Sequence, residues 1–403
     1  MLKNNAPAIV LSHGSGGLGT VRSLARRGIK VTAIAFEATD PVLYSRFPVR
    51  TIVVPGDNEE EKERNVLVIL NSLPNNGAVL MATSDRLVSL ISDHRDDLHN
   101  DFHFMLPTKE TLEALNDKSK EIELVRRLGF DVPKTMVKLP ATPTALGQHL
   151  RFPIIFKPHS FAMQEIFPRK NEIVRDDDEL REFYERWQDA LPILLAQEVI
   201  TGPDNLSWIC SCTFDQNHAL LDCGIKQKLR AMPAHFGGST YAVSRDNIEI
   251  LNLAKRLGKL LKYVGHAGIE FRWDTRDQRF KYIELNPRIP ANVEFDEACG
   301  LPTVWNSYKV SLDENVVCSG IRQKQGIYFV DLTADLSSQL ADNASMLQIA
   351  ANYMTLLFKK TSGLYFAWDD PRPGIVVGFR FLIRVYRKID RRVRSKYFAV
   401  TNR

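Results

Sequence analysis

No Cys-x-x-Cys pair occurs among the five cysteines, Cys210, Cys212, Cys223, Cys299 and Cys318. The odd count and the spacing argue against a cysteine zinc site and a disulfide framework, and a reducing compartment fits. No apolar run reaches the ~18–20 residues that a membrane-spanning helix needs. The opening residues, Met1-Leu2-Lys3-Asn4-Asn5, lack the layout of a secretory signal peptide, so a cytoplasmic location is expected. Internal repeats and low-complexity linkers are absent, and a broad excess of one charge sign is absent too. The net charge is +5 over 403 residues, but residues 378–403 hold nine Lys/Arg and one Asp, which leaves −3 for the rest. The body therefore gives no footing for nucleic acid.

What is present is an ordinary globular composition, 44% hydrophobic and 25% charged, on a length that predicts two to four compact units. Ala8-Ile9-Val10-Leu11 reads as a buried strand, His13 to Gly19 as a glycine-rich turn, Thr20 to Arg27 as a short helix and Lys30 to Ala35 as a second strand. That β-α-β start, with further strands at 51–55 and 78–82, predicts an open parallel α/β unit over residues 1–110. From Pro133 onward strands at 154–156, 193–196, 207–213, 219–221, 268–273 and 281–285 alternate with helices at 178–187 and 247–263, the pattern of an α+β body.

Gly14-x-Gly16-x-x-Gly19 fits a dinucleotide fingerprint, with Glu37 near the place of a ribose-binding acid. It fits equally a tight strand-to-helix turn in any doubly wound unit. The first reading implies a dinucleotide-dependent oxidoreductase.

The segment with most chemical content is Gly268-Ile269-Glu270-Phe271-Arg272-Trp273-Asp274, a turn, and Phe280 to Arg288. It reads as a β-hairpin that brings Glu270, Glu284 and Asn286 together, because residues two apart share a strand face. Carboxylates set among apolar strand residues are costly without a cation, and three hard oxygen donors suit Mg²⁺, with Mn²⁺ as a substitute. Arg288 approaches the same place with a fork suited to phosphate or carboxylate. Lys226, Lys228 and Arg230 alternate and are expected on one face of an extended segment.

Glu284-Leu285-Asn286-Pro287-Arg288, with an acid one hairpin upstream, resembles the metal-binding end of the ATP-grasp superfamily, nearest its carbamoyl-phosphate-synthase-like and carboxylate–amine ligase branch. The resemblance extends to about Pro302. It implies an N-terminal Rossmann-like pre-ATP-grasp domain (1–110), an ATP-grasp domain (111–305, smaller lobe about 130–196, larger lobe about 197–305) and a C-terminal extension (306–403). It implies that Lys118 and Lys157 bind ATP phosphates, that Gln197, Glu198, Val199 and Ile200 form the adenine hinge with Asp204 near the ribose, and that Lys228, Arg230 and Arg288 act at the γ-phosphate and acceptor. The implied reaction joins a small-molecule carboxylate to an amine through an acyl phosphate, with ATP and Mg²⁺. One departure stands out: His159 to Glu165 has no glycine where the family carries a glycine-rich lid, which leaves a non-catalytic nucleotide-binding protein as an alternative and Lys170 as a substitute cation. His235 is a candidate base.

From Phe379 the tail places Leu382, Val385, Ile389 and Val393 at four-residue intervals among Arg and Lys, the pattern of a basic amphipathic helix. Packing on the body and peripheral contact with the inner membrane surface are both open to it. A homodimer is also compatible with the reading.

Overall fold

The structure, a computed structural model, describes residues 6–74, 77–160, 163, 166–233, 237–314, 316, 323–384 and 387. It is a mixed α/β protein built on three sheets.

The first sheet comes from β1 (Ala8–Ser12), α1 (Ser15–Ala25), β2 (Val31–Ala35), β3 (Arg50–Val53), α2 (Glu59–Ser72), β4 (Ala78–Ala82), α3 (Asp85–Asp93), α4 (Arg95–Leu98) and β5 (Phe102–His103). Its strands are all parallel, in the order β3-β2-β1-β4-β5. The central strands β1 and β4 are buried on both faces because both are covered. Ile9 and Leu11 pack with Leu70 and Ile91, whereas Ala8 and Val10 pack with Val21, Leu24 and Tyr308.

Two helices, α5 (Lys109–Asn116) and α6 (Lys118–Arg127), lead to a four-stranded antiparallel sheet. Its elements are β6 (Thr135–Met136), α7 (Pro143–Gly147), β7 (Ile154–Pro158), β8 (Glu172–Val174), α8 (Asp177–Arg186) and β9 (Leu194–Glu198), in the order β6-β9-β7-β8. Ile154 and Phe156 alternate into a core with Leu180 and Phe183 of α8.

The largest sheet contains β10 (Ser207–Phe214), β11 (Leu220–Met232), β12 (Gly238–Ser244), then after α9 (Ile248–Leu260) the hairpin β13 (Gly265–Asp274) and β14 (Arg279–Asn286). After α10 (Val293–Ala298) and α11 (Thr303–Ser311) come β15 (Tyr328–Val330), α12 (Leu332–Ala341), α13 (Met346–Leu356) and β16 (Thr361–Gly363). The order is β14-β13-β10-β11-β12-β15-β16. Ile269 and Phe271 of β13 pack on Ala254 and Leu257 of α9. The intervening Glu270 and Arg272 therefore face the other way.

Two sequence expectations change here. The glycine-rich segment is not a loop: α1 begins at Ser15, and Gly16, Gly17 and Gly19 lie inside it. A Cβ on Gly17 would stand 1.8 Å from Ser12 Oγ, and one on Gly19 2.6 Å from Val293, so these glycines permit close packing. Asp40 already occupies the start of the helix, accepting from Gly14 N at 2.9 Å and Ser12 Oγ at 3.0 Å. Glu37 is paired with Lys62 at 2.6 Å. A dinucleotide pyrophosphate would meet a carboxylate there. The boundary expected at 305 also fails to coincide with a sheet boundary, because β15 and β16 extend the large sheet and Val304, Tyr308 and Leu312 join the core beneath β1.

Residues 372–384 are helical, and Arg380 anchors that helix to Thr39 O at 3.0 Å and Tyr44 Oη at 2.6 Å. Val385, Ile389 and Val393 of the expected tail helix, together with His235, lie outside the described residues.

Candidate nucleotide and metal site

Strand alternation places Lys228, Glu270 and Arg272 on one face of the large sheet, and the small sheet faces them across a cleft. Its walls include Lys118, Lys157, Lys170, Gln197, Glu198, Val199, Ile200, Lys228, Glu270 and Glu284, around roughly 1320 Å³ of open space. Nine of these ten were singled out for the site from the sequence, and Lys170 was the substitute cation.

Glu270 and Glu284 are direct cross-strand partners in the hairpin, and Asn286 pairs with Gly268 on the same side. The Asn286 amide donates to Glu284 Oε1 at 3.2 Å. The hairpin thus brings the three expected metal ligands together. Lysines balance the carboxylates: Lys228 Nζ lies 2.8 Å from Glu270, and Lys118 Nζ 3.7 Å from Glu284. Burial opposes ionisation of Glu284, yet Lys118, Lys170, the Asn286 amide and Lys157 hold its pKa down to about 2. Two carboxylates and an amide oxygen form a hard donor set that fits Mg²⁺ and leaves positions open for phosphate oxygens. Among the described residues no group of three His, Cys, Asp or Glu gathers to hold a metal, so the third donor here is the Asn286 amide oxygen.

Lys118 is the first residue of α6, whose N-terminus Asp117 caps through Ser119 N and Lys120 N. Its own N–H donates to His159 O at 2.8 Å, which ties the helix to the strand that carries Lys157. Lys157 Nζ donates to Gln197 Oε1 at 2.9 Å, and Gln197 in turn donates to Thr135 at 2.9 Å. Burial pushes the Lys157 ammonium's pKa down although Glu284 and Glu121 oppose this.

Glu121 was not among the expected site residues. It is fully buried and holds three groups at once: Lys118 Nζ at 3.0 Å, Tyr282 Oη at 2.6 Å and Leu285 N at 2.8 Å. It locks the β13–β14 hairpin to α6. Its signal in the sequence was an acid on the apolar face of α6, beside the buried Ile122 and Val125.

Three expected residues stand elsewhere. Arg230 leaves the face of Lys228 because the register of β11 shifts between them, so it pairs across from Tyr241 rather than following Lys228. Its guanidinium grips the buried Asp335 of α12 at 2.7 and 2.9 Å and stacks 4.3 Å from the Tyr241 ring. Asp204 is buried outside the cleft wall, and the turn meant to bring it to a ribose is held by Arg272, which donates to Ile200, Gly202 and Pro203 carbonyls. Arg288 likewise lies beyond the wall, its Nε 3.1 Å from Asp85 Oδ2. Lys226, on the same face as Lys228, is buried 2.7 Å from Asp296. In the segment expected to meet adenine, Val199 N–H is committed to Pro153 O at 2.9 Å. Of the glycine-poor segment, residues 161–162 and 164–165 lie outside the described residues.

His266 of β13 is buried with both ring nitrogens unpartnered. Burial, helped by the nearby Lys226, pushes its pKa down to about 3. A base whose folded pKa is depressed favours folding above its unfolded value near 6.5, and that contribution is lost as pH falls toward 3. The melting temperature is therefore expected to drop more between pH 7.5 and 5.5 in the parent than in His266→Asn, which thermal melts at the two pH values will read.

No family model matches the sequence. The chain is 23% identical over 276 residues to a D-aspartate ligase from Enterococcus faecium (strain Aus0004), a match spanning 64% of each protein. Among solved structures, biotin carboxylase from Campylobacter jejuni in complex with β,γ-ATP superposes with a TM-score of 0.64 at 16% identity, covering 81% of this chain and 75% of that one. The biotin carboxylase domain of 2-oxoglutarate carboxylase from Hydrogenobacter thermophilus, in complex with MgADP, ADP and bicarbonate, gives 0.60 at 17% identity, covering 80% and 73%. These neighbours are ATP-grasp enzymes, and the chain has the ATP-grasp fold.

Proposed function

We propose that this protein is an ATP- and Mg²⁺-dependent carboxylate–amine ligase. The observation that carries the reading is the cleft itself: Glu270 and Glu284 face each other across the hairpin, and Lys118, Lys157 and Lys228 converge on them. In this reading residues 1–110 form a Rossmann-like pre-ATP-grasp domain, and the four-stranded sheet and the large sheet are the lobes of the ATP-grasp domain. A cleft walled by apolar hinge residues at one end and by cations and carboxylates at the other matches a nucleoside triphosphate in shape and charge.

The reaction would have a substrate carboxylate attack the γ-phosphorus of ATP, forming an acyl phosphate and ADP. An amine then attacks the acyl carbon, the C–N bond forms and phosphate leaves. Glu270, Glu284 and the Asn286 amide oxygen would hold Mg²⁺, which when bound supplies charge neutralisation at the phosphates. Lys157, oriented by Gln197, and Lys118, oriented by Glu121, hold the phosphate oxygens in place. Lys228 balances Glu270. The remaining backbone groups of Glu198 to Ile200 would meet the adenine. The protein's contribution is placement and fixed charge.

The acceptor lies, in this reading, at the carboxyl ends of β1 and β4, where strand order reverses and open parallel sheets bind ligands. Arg288 and Asp85 meet there, and Asp85 keeps one buried carboxylate oxygen without a partner. Arg288→Ala is expected to lower carboxylate-dependent ADP formation by about 10²–10³-fold, measured by coupled ADP assay with little change in ATP affinity.

The D-aspartate ligase relative motivates the first assay. Parent protein, ATP and Mg²⁺ would be incubated with D-aspartate and a panel of D- and L-amino acids and other carboxylates, with hydroxylamine as the trap. Hydroxamate formation that requires both ATP and a carboxylate supports the ligase. Folded protein that makes neither ADP nor hydroxamate across the panel removes the catalytic reading.

A further inference from the structure

Outside the cleft, exposed apolar side chains are unevenly distributed. Of the twenty large hydrophobic residues that stand exposed among the described residues, thirteen fall between residues 332 and 383. A surface helix normally turns a charged face to water. Residues 346–358, which make up α13 and the two residues after it, contain no Asp, Glu, Lys or Arg, and only Ile349 of α13 is buried. Leu347 is 82% exposed, Phe358 89% and Trp368 92%. Trp368 lies against Phe366 with ring centroids 5.1 Å apart, and Phe366 packs in turn on Gly374 in the helix of residues 372–384. That helix exposes Phe379 and Leu382 as well. Exposed apolar side chains in this number, with Phe366, Trp368 and the helix of residues 372–384 in contact with one another, mark an interaction site rather than a solvated face.

Charge identifies the kind of partner. Residues 346–403 hold twelve Lys/Arg and three Asp, a net of +9, so residues 1–345 carry −4. Two of those three acids are already neutralised from within, Asp370 by Arg22 and Asp369 by Arg26. A second copy docking through residues 346–384, which hold five Lys/Arg and two Asp, would set +3 against +3. Nucleic acid would satisfy the charge and leave the Leu, Met and Phe side chains in water. An anionic bilayer satisfies both, with apolar groups entering the interface and Arg and Lys meeting the headgroups. Among the described residues no helix is long and apolar enough to cross a membrane, so the contact is peripheral.

We infer that the surface formed by α13, Phe358, Trp368 and the helix of residues 372–384 docks this protein on an anionic lipid bilayer. The inference does not depend on the reaction in the cleft.

The test is co-sedimentation of the full chain with vesicles of phosphatidylcholine alone and of phosphatidylcholine mixed with phosphatidylglycerol. The expected result is binding to the mixed vesicles only, weakened by salt because surface charges are screened. Phe358→Asp with Trp368→Asp should bind about tenfold or more weakly, since insertion scales with buried apolar area, while melting temperature and ATP affinity stay at parental values. Should that double variant misfold, the parent still decides the matter: brominated lipid in mixed vesicles should quench Trp368, and Trp368→Phe should bind while losing that quenching. Absence of binding to mixed vesicles overturns the inference, as does equal binding of a folded double variant. So does dimerisation in solution that makes Trp368 inaccessible to lipid.

Discussion

Lys157→Met is expected to slow ATP turnover by about 10²–10³-fold and to leave a protein at least as stable as the parent. The two effects have one cause. Lys157 stands in β7 among residues buried in the small sheet, and its ammonium finds a neutral partner, Gln197 Oε1, at 2.9 Å. Burial disfavours its charge, as the downward push on its pKa records. An ammonium kept in such a place contributes little to folding, and it serves an anion that is still to arrive. Methionine has a similar length, carries no charge to desolvate and suits an irregular apolar gap. The variant thus separates function from stability. Denaturant unfolding and a coupled ADP assay on the same preparation check both parts. A clear loss of stability in Lys157→Met would show that the lysine is structural.

Arg22→Ala is expected to lose about 3–5 kcal/mol of stability, because removing one member of a buried charge network leaves the others uncompensated. Arg22 is fully buried in α1. It reaches Asp370 Oδ2 at 3.0 Å, Glu294 Oε2 at 3.2 Å, Tyr365 O at 2.9 Å and Asp370 O at 2.8 Å. Asp370 also accepts from Ser45 Oγ and Arg46 N. One side chain therefore joins the parallel sheet's first helix, α10 and a turn near the C-terminus. Arg27, which is partly exposed where it pairs with Glu297, is the control: its truncation should cost about 1 kcal/mol or less. Equilibrium unfolding in urea reads the difference. Equal losses for the two arginines would show that the C-terminal turn is not fastened in this way.

The legible parts of the fold were those where local pattern and long-range packing agree. The apolar runs of β1 and β4 announced a buried parallel sheet, and Glu270, Glu284 and Asn286 announced the hairpin that brings them together. What local alternation could not show was a change of register. Lys226, Lys228 and Arg230 share a period, but the bulge after Lys228 turns Arg230 to Asp335, 105 residues away. The glycines of α1 illustrate a second limit. A glycine that allows a strand and a helix to touch reads the same as one that admits a phosphate, and only Ser12 and Val293 distinguish them. The roles of Glu121 and Asp85 escaped for a related reason, since each acquires its meaning from residues more than 150 positions later. The last two strands of the large sheet, three residues each, are too short to carry a periodic signal.

The central claim is that Glu284 and Asn286 complete a divalent-cation site through which the cleft holds ATP. Calorimetric titration of ATP into the folded full chain, with and without Mg²⁺, tests it most directly, alongside Glu284→Ala combined with Asn286→Ala. The account predicts tight binding by the parent that requires Mg²⁺ and is lost in the folded double variant. A folded parent that binds no ATP, or a double variant that binds it as well as the parent, would contradict it.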